Sequence, residues 1–186
     1  RMSGFEKQAS GDTFNTQINV TLADQMQREL SIDEIKAMAV RQLSVWLLGT
    51  QTLELWRDDG VTPFVRELQG FVQSGTVAPN SFTWCAGAWL WIDEERHVVR
   101  LDGLQTVPVS LALSKYIQNF TVVSDAMGDY IVVGGRPYYV LHFPSEEKTL
   151  VLDLTSGDWA EWGYWDSANA EYKRFRGNCM CLAPAW

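Results

Sequence analysis

Few residues of this chain have the types and spacing that enzymatic chemistry requires. Only two histidines occur, His97 and His142, and neither is flanked by the nucleophile and acid of a catalytic triad. The acidic run Asp93, Glu94 and Glu95 has the residue types of a paired-carboxylate site. Its position between two short apolar segments instead favours a hairpin tip whose side chains point outward into water. We therefore predict no catalytic residues, with His142 packed in or at the edge of a strand and His97 exposed.

Metal and cofactor motifs are equally scarce. The three cysteines, Cys85, Cys179 and Cys181, are an odd number without a disulfide framework, so buried free thiols are the simplest interpretation. With two distant histidines they make a poor ligand set for zinc. The pair Gly134 and Gly135 is typical of a hairpin turn rather than of a phosphate-binding loop. We expect neither a metal nor a cofactor.

The charge balance limits the choice of partners. The formal net charge is −8, which disfavours tight binding to duplex DNA because phosphate contacts need clustered Lys and Arg. The single basic cluster, Lys173, Arg174 and Arg176, is short and favours a solvated turn or strand edge. An acidic wall is nevertheless compatible with a conduit through which DNA passes without sticking.

Tryptophan is unusually frequent, and two interpretations remain open. Aromatic residues in short strands usually pack between sheets, but exposed ones can instead stack on carbohydrate. The nine tryptophans are Trp46, Trp56, Trp84, Trp89, Trp91, Trp159, Trp162, Trp165 and Trp186.

A repeated four-stranded pattern organises most of the chain. Residues 125–162 contain four short β-branched or aromatic runs separated by Gly, Pro, Ser, Asp or charges, as in a β-meander. Weaker copies occur upstream at a spacing of about 40 residues, which is typical of β-propeller blades. We predict blades at about 32–70, 75–109 and 121–165, and the start of a further blade at 172–186.

Two segments depart from this repeat. Residues 1–31 are predicted to form an N-terminal arm, with one strand at 14–22 and a helical turn at 23–30. Residues 110–120 are predicted to form a short helix capped by Ser110. The expected fold is thus mainly β, with propeller-like blades and one short helix. Three and a fraction blades do not close a ring, so we expect the remaining blades to come from a longer form of this protein or from other chains.

Several ordered segments resemble the phage stabilisation family, the packaged-DNA stabilisation or tail-hub proteins of short-tailed bacteriophages. The family's usual pattern is a strand ending in Phe-Pro, a short polar turn, a strand with Tyr-Asp, and then Thr-Gly-x-Trp and a tryptophan-rich tail. The similarity covers about residues 32–179. Its C-terminal positions are Phe143, Pro144, Lys148, Thr149, Asp153, Gly157, Trp159, Trp162 and Trp165. Its upstream positions are Gly49, Glu54, Pro63, Phe64, Gln69 and Gly70.

The resemblance implies a structural virion protein on a β-propeller fold. By this resemblance, such proteins assemble as a ring of six copies below the portal and adaptor, and help to retain packaged DNA and form its exit channel. The implied partners are therefore further copies of this chain, the portal–adaptor, other tail proteins and DNA in transit, with no membrane and no enzymatic activity. The alternative function is a glycan-binding β module that uses exposed Trp and Tyr.

Overall fold

The computed structural model describes residues 33–58, 60 and 65–177. The predictions for the N-terminal arm and for Pro63, Phe64, Cys179, Cys181 and Trp186 lie outside these residues. Three four-stranded antiparallel sheets follow one another along the chain, each a meander with its strands in sequence order. This confirms the prediction of a mainly β protein made of four-stranded units.

The sheets are built from twelve of the strands. The first sheet contains β1 (Ile35–Arg41), β2 (Ser44–Gly49), β3 (Leu53–Arg57) and β4 (Val65–Val72). The second contains β5 (Thr83–Cys85), β6 (Ala88–Ile92), β7 (Val98–Asp102) and β8 (Gln105–Pro108). The third contains β9 (Met127–Val133), β10 (Arg136–Phe143), β11 (Lys148–Asp153) and β12 (Trp159–Glu161).

Local turn chemistry sets the hairpins. Gly134 and Gly135 join β9 to β10 with φ values of +59° and +81°, which glycine adopts without a steric penalty. Two successive positive φ angles are characteristic of type I′ turns, whose twist matches that of the flanking strands. The predicted hairpin turn is confirmed, and it aligns Arg136 with Val133 across the two strands.

The second sheet is buried on both faces. Successive side chains of a strand point to opposite faces, so β6 presents Trp89 and Trp91 on one side and Leu90 and Ile92 on the other. The tryptophans share an apolar cluster with Leu48, Leu53 and Val72 of the first sheet. Leu90 and Ile92 share a larger cluster with Tyr139, Leu141, Phe143, Leu150 and Leu152 of the third sheet. The three sheets are therefore stacked face to face in chain order.

The helix is shorter than predicted and is not capped by Ser110. The helix α1 spans Ser114–Gln118, and Leu113 occupies the cap position without a side-chain hydrogen bond. The Ser110 hydroxyl instead accepts a 2.8 Å hydrogen bond from the Val98 backbone N–H, which ties the segment before α1 to β7. Buried polar groups almost always form hydrogen bonds, and the donor available to the Ser110 hydroxyl is a backbone N–H of the second sheet.

The end of the third unit also differs from the prediction. The third sheet ends at Glu161, whereas β13 (Gly163–Asp166) pairs with β14 (Glu171–Arg174) in a separate hairpin. Phe175, just after β14, stacks on His142 of β10 with ring centroids 6.4 Å apart. The hairpin therefore begins a further layer against the outer side of the third sheet.

Candidate functional site

A surface groove lies between α1 and β12, the edge strand of the third sheet. Its volume is about 270 Å³, and it is lined by Leu113, Tyr116, Leu150, Trp159, Ala160 and Glu161. Most of this lining is apolar, and polar groups gather around Glu161. We refer to it below as the α1–β12 groove.

Both walls of the groove are held in place by other parts of the fold. The Trp159 indole N–H donates a 2.8 Å hydrogen bond to the Val109 carbonyl, just beyond β8. The Arg96 guanidinium donates to the carbonyls of Gln118 at 3.2 Å and Phe120 at 2.9 Å, at the C-terminal end of α1. Since a cation there also complements the helix dipole, α1 is fixed by charge as well as by the buried Ile117.

The side chains of Tyr116 and Lys148 both contact the Glu161 carboxylate. The Tyr116 hydroxyl lies 3.4 Å from Glu161 Oε2, and Lys148 Nζ donates a 2.7 Å hydrogen bond to Glu161 Oε1. The hydrogen bond to Glu161 raises the pKa of Lys148, so its ammonium stays charged at neutral pH. The arrangement offers a carboxylate acceptor, an ammonium donor and a phenol, but it contains no nucleophile paired with a base.

Sequence reasoning found only part of this groove. The motif includes Trp159, and Leu113 lies on the partly apolar face of the helix predicted at 110–120, whereas the sequence does not indicate Tyr116 or Leu150 as site residues. Tyr116 lies within the predicted helix and Leu150 within a predicted strand, and residues from 113 to 161 meet only through tertiary packing. The structure therefore adds the wall formed by α1.

The motif residues of the third sheet occupy core and turn positions. Phe143 is fully buried in the core shared with the second sheet. Pro144 opens the next turn, where its carbonyl accepts a 3.2 Å hydrogen bond from the Glu147 N–H. Asp153 accepts a 2.8 Å hydrogen bond from the Thr155 N–H, and Gly157 follows with φ of +80°. These positions set strand ends rather than a chemical centre.

The upstream motif residues are structural as well. Gly49 ends β2, and its N–H donates a 2.7 Å hydrogen bond to the Thr52 carbonyl in the hairpin turn. Glu54 is fully buried in β3, where it accepts a 3.2 Å hydrogen bond from the Trp56 indole. A buried carboxylate needs such partners because leaving it unpaired in the core is costly.

The last two motif tryptophans have different environments. Trp162 contacts Tyr138 and Phe175, with ring centroids 5.8 Å and 6.0 Å away. Trp165 is 60% exposed, and its cross-strand partner Tyr172 is 62% exposed. Trp162 therefore packs between layers, whereas Trp165 presents an aromatic surface.

Within the acidic run, Glu94 and Glu95 are exposed as predicted, whereas Asp93 turns inward. Asp93 is only 9% exposed, and its Oδ1 accepts hydrogen bonds from the backbone N–H groups of Glu95 at 2.9 Å and His97 at 2.7 Å. Burial raises the pKa of Asp93. Glu94 and Glu95 are exposed, although Glu94 also accepts a 2.8 Å hydrogen bond from the Gly75 N–H. Asp93 closes its own turn because those N–H groups would otherwise lack partners.

The histidines divide between one correct prediction and one error. His142 is fully buried, which confirms that it is packed; its Nδ1 lies 3.2 Å from Thr149 Oγ1 and its Nε2 lies 3.6 Å from Asp129 Oδ2. His97 was expected to be exposed, but its side chain is only 21% exposed and faces Asp93 at 3.7 Å. The difference follows from the inward turn of Asp93.

Lys173 and Arg176 of the basic cluster make ion-pair and cation–π contacts with nearby residues. Lys173 contacts Glu171 at 2.9 Å and Asp166 at 3.3 Å within the β13–β14 hairpin. The Arg176 guanidinium lies 4.1 Å from the centroid of the Tyr164 ring. Lys173 and Arg174 belong to β14, so the interpretation as a strand edge is preferred over a nucleic-acid patch.

Within residues 33–58, 60 and 65–177, no group of three His, Cys, Asp or Glu side chains is close enough to hold a metal ion. Cys85 is a buried free thiol, and burial raises its pKa to about 12. In the same part of the chain, no helix has the length and apolar character that a membrane span requires.

Comparisons with known proteins show similarity to solved structures alone. No protein-family model matches the chain, and no curated protein matches it. Among solved structures, it is similar to PorZ, an essential bacterial surface component of the type-IX secretion system of Porphyromonas gingivalis, with 9% identity and a TM-score of 0.33. The match covers 72% of this chain, which spans only 23% of the PorZ chain. The resemblance to the phage stabilisation family therefore rests on the sequence segments described above.

Proposed function

We propose that this chain is a non-enzymatic structural module whose sheets stack as propeller blades, and that it serves as a tail-hub component of a short-tailed bacteriophage. The observation that carries the proposal is the burial of both faces of the second sheet by its two neighbours. A protein built this way extends by adding further sheets to its ends.

Direct bonds between successive sheets support blade-like packing. The Thr83 hydroxyl of β5 donates a 2.8 Å hydrogen bond to the Gly128 carbonyl of β9, which joins the first strands of the second and third sheets. In the segment that connects the first sheet to the second, the Thr76 N–H donates a 2.9 Å hydrogen bond to the Gly49 carbonyl at the end of β2. Close first strands in successive sheets are what a propeller requires around its central channel.

The outer face of the first sheet supports assembly with further sheets. Met38 and Val40 are 67% and 66% exposed, and they align with Leu47 and Val45 across β1 and β2. These four apolar side chains share the face opposite to the one that packs on the second sheet. On this face Val45 and Leu47 are buried, and Met38 and Val40 form a small exposed apolar pair of the kind that can mark an interaction site. We assign it to a sheet of another copy or of a neighbouring tail protein.

The tail-hub role itself rests on the ordered sequence segments. In this proposal the chain is part of the virion, in a ring of about six copies below the portal and adaptor. The net charge of −8 suits a wall along which DNA passes without binding. The core and turn positions of Phe143, Asp153 and Trp159 agree with a motif that maintains a fold.

Binding to a purified portal–adaptor complex tests this function. We expect the chain to co-sediment with the complex and to add density below the portal in negative-stain electron micrographs. Met38→Glu should abolish ring formation, because it buries an unpaired charge at the sheet interface. Leu104→Glu, at the exposed β7–β8 turn, is the matched control and should assemble normally. Failure of the unmodified chain to associate with the complex would refute the tail-hub role.

A further inference from the structure

We propose that the α1–β12 groove is a binding site for the ring of a neutral pyranose sugar. The site goes beyond the assembly role, since it is formed within one chain. It also gives the alternative function, glycan binding, a location other than the exposed pair Trp165 and Tyr172.

The size and lining of the groove fit one sugar ring. Its volume of about 270 Å³ lies just below the range of small-molecule sites, which typically occupy roughly 300–1,000 Å³, so it has room for a single ring. Tyr116 and Trp159 contribute aromatic rings from opposite walls, and Leu113 and Leu150 add apolar surface. The C–H faces of a pyranose are apolar and pack against aromatic rings, which bury large areas.

The polar groups match sugar hydroxyls in kind. Each hydroxyl both donates and accepts a hydrogen bond, so a sugar needs acceptors and donors side by side. Glu161 supplies the acceptor, and Lys148, 2.7 Å from it, supplies the donor. The Tyr116 hydroxyl, 3.4 Å from Glu161, can serve in either way.

Charge selects a neutral sugar over an anionic one. The only carboxylate among the lining residues, that of Glu161, is already paired with the Lys148 ammonium, so the groove offers no unpaired cation to a sialic or uronic acid. The chain as a whole carries −8, which further disfavours an anion.

The groove is also preorganised. The Trp159 indole is fixed by its bond to the Val109 carbonyl, and α1 is fixed by Arg96. Binding therefore orders few additional side chains, and ordering is a main cost of binding small ligands.

Saturation-transfer difference NMR on the whole chain tests the site. The probes are the methyl α-pyranosides of glucose, galactose, mannose and N-acetylglucosamine, with N-acetylneuraminic acid as the anionic comparison. We expect transfer to at least one neutral probe and none to the acid. Tyr116→Ala should lower the affinity for that probe by about tenfold, because an aromatic contact is lost. Glu161→Gln keeps the shape of the side chain and should lower the affinity for that probe by about fivefold, because the charged acceptor is lost.

Trp165→Ala is the matched control, because it removes an exposed aromatic ring outside the groove. It should leave the affinity unchanged within about twofold. Absence of transfer to all four neutral probes would refute the site, as would unchanged affinity in both groove variants while circular dichroism shows them folded. Loss of binding in Trp165→Ala alone would move the sugar to the β13–β14 hairpin and overturn the assignment to the groove.

Discussion

The indole N–H of Trp159 donates a hydrogen bond of 2.8 Å to the carbonyl of Val109, 50 residues earlier in the chain. This bond joins the edge strand of the third sheet to the segment after the last strand of the second sheet. The same indole packs against the core between the two sheets. Trp159 thus connects sheet packing, the position of β12 and one wall of the α1–β12 groove.

Replacing Trp159 should therefore destabilise the fold. Trp159→Ala removes the ring from the core and leaves the Val109 carbonyl without this donor, and we expect a loss of about 3 kcal/mol. The measurement is urea unfolding followed by far-ultraviolet circular dichroism. Trp165→Ala, at a residue that is 60% exposed, should change stability by less than about 0.5 kcal/mol. Equal effects of the two substitutions would contradict the packing described for Trp159.

Acidification should weaken the packing around His142. Burial lowers the pKa of His142 below its usual 6.5, and the nearby Arg174 lowers it further, against an opposing effect of Asp129. The unfolded chain then binds the proton more readily than the folded one. The stabilising contribution is complete above the unfolded pKa and is lost as the pH falls below about 6.5.

Unfolding free energies between pH 7.5 and pH 5.5 test this dependence. We expect stability to fall with decreasing pH in the unmodified chain, and to fall more steeply in Asp129→Asn, which lacks the carboxylate 3.6 Å from the imidazole. His142→Gln should flatten the profile. An unchanged slope in His142→Gln would show that another group is responsible.

The first sheet depends on Asp33 to close its β2–β3 turn. The Asp33 carboxylate accepts hydrogen bonds from the N–H groups of Thr50, Gln51 and Thr52, each at 2.9 Å, and from the hydroxyls of both threonines. Burial alone would raise the pKa of Asp33, but these bonds lower it well below its ordinary value. The turn is therefore stabilised above about pH 4, and the stabilisation is lost on further acidification.

Asp33→Ala should cost about 1–2 kcal/mol at pH 7, since several donors lose a charged acceptor in a partly exposed site. Asp58→Ala is the control, because that carboxylate is exposed and accepts a bond from the Gly60 N–H. Amide hydrogen exchange at Thr50 and Thr52 should accelerate only in Asp33→Ala. Unaltered exchange there would contradict the assigned role.

Gly75, in the segment leading to the second sheet, lies very close to the backbone of the β2–β3 turn of the first sheet. A Cβ at this position would lie 2.0 Å from the Thr50 carbonyl carbon and 2.2 Å from the Gln51 nitrogen. Because backbone cannot yield there, Gly75→Ala should cost about 3 kcal/mol or more in thermal or urea unfolding. Gly103→Ala, in an open turn with φ of +63°, should cost only about 1 kcal/mol. A well-tolerated Gly75→Ala would disprove the close approach.

Strands and turns could be predicted from sequence because their signals are local. The alternation in β10 and the Gly134–Gly135 turn each depend on a few adjacent residues. Three other features depend on neighbours from other elements and have no local signal. They are the inward turn of Asp93, the contact of Ser110 with the second sheet, and the separation of β13 from the third sheet. The groove was missed for the same reason, since Tyr116 and Trp159 meet only after two sheets have packed.

Negative-stain electron microscopy of the purified chain tests the central proposal most directly. We predict ring-shaped particles with a central channel, in which several copies complete the stack that one chain begins. Particles that remain single chains at micromolar concentration, alone and with the portal–adaptor complex, would contradict the assembly proposal.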